Sequence, residues 1–353
     1  MAKKWRCAVL GTNTVGSTHV RVIPQLGNAS LVAVCDATPA KATIALEKAG
    51  LSGIPIYSDA VEMLEKENID VLHIATPSGN HEEHCMLAIN RGINVICEKP
   101  LEIQLDRIDR LIEATEKKGV RLATIYQNRW SDANRAIKQA AEEGRFGKIA
   151  WAGCFTPWYR PDKYYDDGGW RGTWKLDGGG AIMNQSVHNI DLLQWIAGPV
   201  KCVSAYGASR IHPRIETEDT CSVALQFESG AFGTIVGTTA LFPGMPARLE
   251  IGGENGTAVQ ENGLKMFKFR EERPSDKELA ERLAPKATGG AGVASNAAAM
   301  GNDLHSRNIQ AIFSAWDEGR DAETNARESR KAVAIVRAVY ESVIRGGDSV
   351  TIK

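Results

Sequence analysis

The sequence predicts a chain of two parts built on different plans: an α/β part with a doubly wound parallel sheet, then an α+β part with an antiparallel or mixed sheet flanked by helices. Three observations carry this. Up to about residue 125, short β-branched runs alternate with amphipathic helical stretches, the pattern of successive βαβ units. Beyond that point longer strand runs follow one another across short turns such as Glu228-Ser229-Gly230, the pattern of hairpins. At 353 residues the chain also exceeds the size at which one hydrophobic core usually stops growing. The expected domains are 1–125 and 126–353.

In the first part the strand runs are 6–10, 31–35, 55–57, 71–75, 94–97 and 121–124. Helical stretches fall near 15–26, 39–49, 59–67, 81–91 and 104–118, with Gly27, Gly50, Gly92 and Gly119 where a helix C-terminus favours glycine. A linking helix over 134–143, closed by Gly144, leads to strands at 149–159, 200–209, 219–227, 231–239 and 247–252. The stretch 284–302, rich in Ala, Gly and Asn, has little apolar periodicity and reads as a mobile surface loop. Helices at about 303–319 and 325–345 finish the chain.

With 43% hydrophobic and 24% charged residues and a formal net charge of -1, the composition is that of a globular domain with no affinity for nucleic acid. No apolar run approaches the roughly 18 to 20 residues needed to cross a bilayer, so no membrane association is expected. Seven scattered cysteines, mostly within strand-like apolar runs, read as reduced thiols, and the N-terminus shows no secretory leader. A cytoplasmic location is the expectation.

Directly after the first strand comes Gly11-Thr12-Asn13-Thr14-Val15-Gly16, a G-x-G-x-x-G turn with Asn13 in its middle glycine position. Gly11 permits the tight turn, Gly16 allows close packing of helix on sheet, and the helix N-terminus offers N–H groups to a pyrophosphate. Asn13 is a mild replacement because Asn tolerates left-handed backbone angles. The second strand ends in Asp36, 20 residues after Gly16, where a carboxylate accepts hydrogen bonds from ribose hydroxyls and repels a 2′-phosphate. This arrangement points to NAD rather than NADP, although Asp36 could also serve only as a cap for the helix at Pro39. Two further strand ends carry polar clusters, Thr76-Pro77-Ser78-Gly79-Asn80-His81 and Cys97-Glu98-Lys99-Pro100. In an open α/β sheet both should face the crevice that the glycine turn faces. Lys99 can hold charge near a substrate oxygen or act as a base, or form a solvated surface pair with Glu98.

In the second part Gly178-Gly179-Gly180 precedes a helix bearing Asn184, His188 and Asp191 at spacings of four and three, hence on one polar face. The apolar stripe of Ile182, Met183, Val187, Ile190, Leu193 and Ile196 should turn that face away from the core. Asp191 is placed to hydrogen-bond the His188 imidazole and fix its tautomer. Upstream, Trp158, Arg160, Tyr164, Trp170 and Arg171 concentrate aromatic faces and guanidinium groups, a set suited to a polar, ring-shaped ligand or else to a small satellite core. No HExxH, paired CxxC or GxSxG motif is present, so no metal site and no acyl transfer are expected.

With these residues in their observed order, the chain resembles the Gfo/Idh/MocA oxidoreductases over nearly its whole length. The resemblance rests on the glycine turn, the Thr76-Pro77 to His81 segment, Cys97-Glu98-Lys99-Pro100-Leu101, the glycine run into Asn184 and His188, and the last helices with His305 and Asn308-Ile309. It implies an N-terminal Rossmann domain binding NAD, and a C-terminal domain with an open, mostly antiparallel sheet used in homodimer or homotetramer contacts. It also implies a cis Lys99-Pro100 bond. Gly11, Asn13, Thr14, Val15, Gly16, Asp36, Thr76, Pro77, Asn80, His81, Glu98, Lys99 and Gln127 would then hold the cofactor. Lys99 and His188 would act on the substrate hydroxyl, with Asn184, Arg160, Tyr164, Trp170, Arg171 and His305 binding a sugar-like substrate. Many relatives carry Asp at the position of Asn184, and because Asn cannot accept a proton, base duty falls to His188 or Lys99. The implied reaction is oxidation of a ring CH–OH of a sugar, glycoside or cyclitol. Two alternatives share these residues: a transient-redox, NAD-dependent glycoside-cleaving enzyme and a non-catalytic regulator that binds NAD and a sugar.

Overall fold

The computed structural model describes residues 4–166, 169–285 and 303–353. By its packing the chain forms two compact units: one comprises the described residues up to Gln127 together with those from Asp303 to Arg330, and the other comprises the rest. Most of the stretch read as a mobile loop, 286–302, lies outside the described residues.

The first unit is built on a six-stranded parallel sheet: β1 (Trp5–Leu10), β2 (Ala29–Cys35), β3 (Ile56–Tyr57), β4 (Val71–Ile74), β5 (Asn94–Cys97) and β6 (Leu122–Thr124), in the order β3-β2-β1-β4-β5-β6. The order reverses between β1 and β4, which places a switch point at the carboxyl ends of those two strands. The connecting helices are α1 (Thr14–Val22), α2 (Pro39–Ala49), α3 (Ala60–Lys66), α4 (His81–Ile89) and α5 (Leu105–Lys118). In α5, Ile108, Leu111, Ile112 and Thr115 form the buried stripe of an amphipathic helix, and Lys117 and Lys118 in the last turn face the negative end of its dipole. At its end Gly119 takes φ +65° and its N–H caps the carbonyl of Thr115. Gly27 ends no α-helix, because α1 stops at Val22 and a 3₁₀ turn over Ile23–Gln25 follows.

The unit is completed by a segment distant in sequence. Helix α10 (Asp303–Asp317) contributes Ile309, Ile312, Phe313 and Trp316 to the core cluster that contains Trp5, Val9 and Val34. Trp5 stacks on Phe313 with ring centroids 5.7 Å apart and donates its indole N–H to Asp317 at 3.0 Å. The Thr124 N–H reaches the carbonyl of Thr324 at 2.8 Å, so the returning chain pairs beside the last strand of the sheet. Helix α11 (Ala326–Ile344) begins here, with Arg330 paired to Asp109.

The second unit is built on an eight-stranded sheet of order β13-β12-β11-β7-β10-β9-β8-β14. Its strands are β7 (Ile149–Pro157), β8 (Val200–Ala208), β9 (Thr220–Phe227), β10 (Phe232–Thr238), β11 (Arg248–Gly253), β12 (Gly256–Glu261), β13 (Leu264–Phe269) and β14 (Val350–Thr351). Every pairing is antiparallel except β10 with β7. Strands β12 and β13 were not anticipated. Helix α6 (Asp132–Glu142) precedes the sheet, α7 (Asp162–Asp166) follows β7, and α9 (Pro274–Arg282) follows β13. The glycine-rich run opens a π-helical segment over Ala181–Ser186, which passes into α8 (Val187–Ala197). No helix among the described residues is long and apolar enough to cross a membrane.

Candidate active site

In the first unit the expected cofactor residues gather at one edge of the parallel sheet because each follows the carboxyl end of a strand: Gly11 after β1, Asp36 after β2, Thr76 after β4, Lys99 after β5 and Gln127 shortly after β6. Gly11 takes φ +85°, and a Cβ there would lie 2.7 Å from the carbonyl oxygen of Ala75. A Cβ on Gly16 would lie 1.8 Å from the carbonyl oxygen of Gly11. Both glycines are therefore required by the close passage of backbone past backbone. Asn13 precedes α1 with φ −70°, so its supposed tolerance of left-handed angles is not used, and its side chain does not cap the helix. The helix start, with Asn13 and Thr14 exposed and Val15 half-buried, is the geometry that receives a pyrophosphate.

Asp36 accepts from the Thr12 N–H and hydroxyl, each at 2.9 Å, and from the Thr38 N–H at 2.9 Å. It thus ties the glycine turn to the start of α2, and three of a carboxylate's roughly four acceptor positions are committed within the protein. The Lys99-Pro100 bond is cis, as the resemblance implied. Pro77 and Asn80 belong to the half-buried turn before α4. His81 is buried, with Nδ1 2.8 Å from the carbonyl of Pro100 and Nε2 2.9 Å from that of Thr76. Burial holds this imidazole below its ordinary pKa, and the neutral ring links the two loops by donating to one carbonyl at a time.

Glu98 turns inward. His19 Nε2 lies 2.9 Å and His305 Nε2 3.5 Å from its Oε1, and the other ring nitrogen of His19 lies 2.9 Å from Nδ1 of the fully buried His73. Burial alone would raise the Glu98 carboxyl, but the hydrogen bonds and charge of His19 and His305 outweigh it and hold the group well below the usual carboxylate range. Burial and the neighbouring His19 keep His73 neutral. The structure therefore places Glu98, His81 and His305, expected at ligands, in polar partnerships inside the first unit.

In the second unit the helix of His188 departs from expectation in two ways. Every residue from Ala181 to Ala197 is buried, so the polar face is enclosed with the apolar one. Asp191 is also gripped by Arg129: the guanidinium donates to both carboxylate oxygens, at 2.7 and 2.5 Å, and neither side chain is more than 1% exposed. A buried cation needs such a partner, and the sequence offered no local sign that Arg129, 62 residues upstream, would claim it.

Around Asn184 lies a hydrogen-bonded network. Asn184 donates its amide N–H to Asp177 and accepts from Gln185 at 2.6 Å, while Gln185 also donates to the Tyr164 hydroxyl at 2.8 Å and accepts from Arg160 at 2.9 Å. Asp177 further accepts from the Gly172 N–H at 2.8 Å, fixing the turn that carries Trp170 and Arg171. The Arg160 and Arg171 guanidinium carbons lie 5.5 and 4.5 Å from the Tyr164 ring centroid, and Arg171 also faces Trp170 at 5.2 Å. Beneath Arg160, His212 bonds its carbonyl at 2.8 Å and Asp219 at 3.0 Å, and the hydrogen bond to Asp219 raises the imidazole pKa. Asp177 and Gln185 were missed in the sequence, where an isolated acid before a glycine run and an amide beside Asn184 give no periodic signal.

Residues 5–126 match the oxidoreductase family with an NAD-binding Rossmann fold, and residues 134–259 match the GFO/IDH/MocA C-terminal domain. The WlbA dehydrogenase of Bordetella pertussis, solved with NADH and UDP-GlcNAcA, is 32% identical, with a TM-score of 0.87 and 99% of each chain covered. The myo-inositol 2-dehydrogenase of Thermotoga maritima is 28% identical over 73% of this chain and 75% of its own. The D-apiose dehydrogenase of Paraburkholderia graminis is 25% identical over 99% of this chain and 90% of its own. The glycine turn, the strand-end loops and the enclosed polar helix are thus those of a shared architecture, and the chain belongs to the GFO/IDH/MocA family of NAD-binding oxidoreductases.

Proposed function

We propose that this chain is an NAD-dependent dehydrogenase that oxidises a ring CH–OH of a sugar-like substrate, with a sugar acid, free or nucleotide-linked, as the favoured class. The observation that carries the reading is the network on the second unit, where Asn184, Gln185, Tyr164 and the cations Arg160 and Arg171 surround the start of the His188 helix. Guanidinium groups beside aromatic faces suit a carboxylated sugar ring, and the relative solved with UDP-GlcNAcA supports that class. Asp36 favours NAD over NADP because its carboxylate, with no adjacent arginine, repels a 2′-phosphate.

The nicotinamide, when bound, supplies the hydride acceptor. Lys99 and His188 share the proton work: one takes the proton from the substrate hydroxyl while the other stabilises charge developing on that oxygen. Asn184, its amide orientation set by Asp177 and Gln185, accepts no proton and orients the ring. The open face of the eight-stranded sheet, with Tyr206 72% and Phe232 64% exposed, is the surface through which we expect copies to pair. Seven free thiols fit a reducing, cytoplasmic setting. The test of the acid/base pair is steady-state kinetics of Lys99→Ala and His188→Ala. Each should lose about a hundredfold or more in turnover, and near-wild-type rates would remove that residue from the pair.

A further inference from the structure

The beginning of the helix that carries Asn184 and His188 presents four successive backbone amides with no partner inside the helix, as any helix start does. Here all four are met by two residues from elsewhere in the second unit. Glu218 takes the Gly180 N–H on Oε2 at 3.1 Å, the Ala181 N–H on its backbone carbonyl at 3.0 Å and the Ile182 N–H on Oε1 at 2.8 Å. The Met183 N–H reaches the Tyr340 hydroxyl at 3.2 Å, and that hydroxyl donates to Glu218 Oε1 at 3.0 Å. The glycine run is what lets the pair approach: a Cβ on Gly179 would lie 1.9 Å from the Tyr340 hydroxyl, and one on Gly180 would lie 1.9 Å from the Glu218 carbonyl oxygen.

We propose that Glu218, with Tyr340, is a positioning residue of the active site, clamping the first turn of the helix so that Asn184 and His188 are held in place. The clamp needs the carboxylate form. Three donors point at its two oxygens, two of them at Oε1, and a neutral carboxyl accepts from all three more weakly than the carboxylate does. Burial pushes the Glu218 carboxyl up to about 7, against the pull of these hydrogen bonds. The titratable groups that face it are Tyr340 from α11 and Cys221 from β9, both themselves raised by burial, while neighbouring Asp219 is turned to His212. The helix start therefore tightens as pH rises through neutrality and loosens below it. The catalytic meaning of the clamp rests on the function proposed above, but its existence does not.

The test is amide hydrogen exchange of the full chain between pH 5.5 and 8.5, followed at residues 180–183 and corrected for the intrinsic rate. In the wild type, protection at Gly180 and Ile182 should rise about fivefold to tenfold through pH 7, the scale of one hydrogen bond. Glu218→Gln turns an amide N–H toward the Gly180 N–H and should stay at the low level at every pH. Tyr340→Phe removes a donor that favours the carboxylate and should move the midpoint to higher pH. Protection that is flat with pH in the wild type would overturn the proposal, even if either variant failed to fold. With NAD and UDP-GlcNAcA as probe, the positioning role further predicts a kcat that follows the same midpoint while KM for NAD does not. If exchange titrates and kcat does not, the clamp stands and its link to catalysis falls; if no sugar is oxidised at all, only the proposed function is affected.

Discussion

Replacing Asp191 by Leu should destabilise the second unit far more than an ordinary helix substitution. The carboxylate is fully buried and grips the Arg129 guanidinium through two hydrogen bonds, so its loss leaves a cation enclosed without that counter-charge. Breaking such a pair from one side costs about 3–5 kcal/mol. At about 2–4 °C per kcal/mol for a domain of roughly 150–250 residues, the unfolding midpoint should fall by about 6–20 °C. Replacing both partners, Arg129→Met with Asp191→Leu, removes the stranded charge while keeping the volume filled over Trp195, against which Arg129 packs at 5.1 Å. The double variant should therefore recover most of the loss. Differential scanning calorimetry of the wild type, both single variants and the double variant measures this directly. An Asp191→Leu midpoint equal to the wild type, or a double variant no more stable than Asp191→Leu, would refute the reasoning. If Asp191 instead fixed the His188 tautomer, Asp191→Asn would abolish turnover with little change in midpoint.

Asp36→Ser combined with Ala37→Arg should shift preference from NAD toward NADP, measured as the ratio of kcat/KM for the two cofactors, and an unchanged ratio would remove Asp36 from the ribose site. His73 and His81 are held neutral by burial, so the folded chain binds fewer protons than the unfolded one below the ordinary histidine pKa of 6.5. Their stability contribution is complete above about pH 6.5 and is lost as pH falls below it, so denaturant midpoints should decline there, and His73→Gln should flatten the decline. Glu98, held low, adds stability that is present above its ordinary value of 4.5 and is lost below it. Phe232→Asp on the open sheet face should yield monomers by analytical ultracentrifugation if that face pairs copies, and an unchanged sedimentation coefficient would exclude it.

The βαβ plan of the first unit was legible because β-branched runs alternate with amphipathic stretches, with glycines closing α2 and α5, and helix α2 lies where its periodicity placed it. The return of α10 onto that unit was not, since Ile309, Phe313 and Trp316 carry an ordinary helical period that does not say which core they join. Strands β12 and β13 had a readable signal in Asn262-Gly263, where Asn262 takes φ 54° in the tight turn between them. The same holds for α9, with Pro274 in its first turn and Asp276 accepting from the Arg273 N–H at 2.8 Å. Of the expected site residues, type and spacing marked Lys99 in the first unit and Asn184 and His188 in the second, but the partners that surround them lie far off in sequence: Arg129 to Asp191, Tyr340 to Glu218, and His19 to Glu98. Such pairings are set by tertiary packing and leave no local pattern.

The most direct test of the dehydrogenase reading is absorbance at the reduced-nicotinamide band while the full chain, supplied with NAD, meets a panel of free sugars, glycosides, inositols, sugar acids and UDP-GlcNAcA. We expect steady NADH formation with the sugar acids, abolished in His188→Ala. Bound NAD with no net reduction by any member of the panel would contradict a dehydrogenase and favour transient redox cleavage or a sugar sensor.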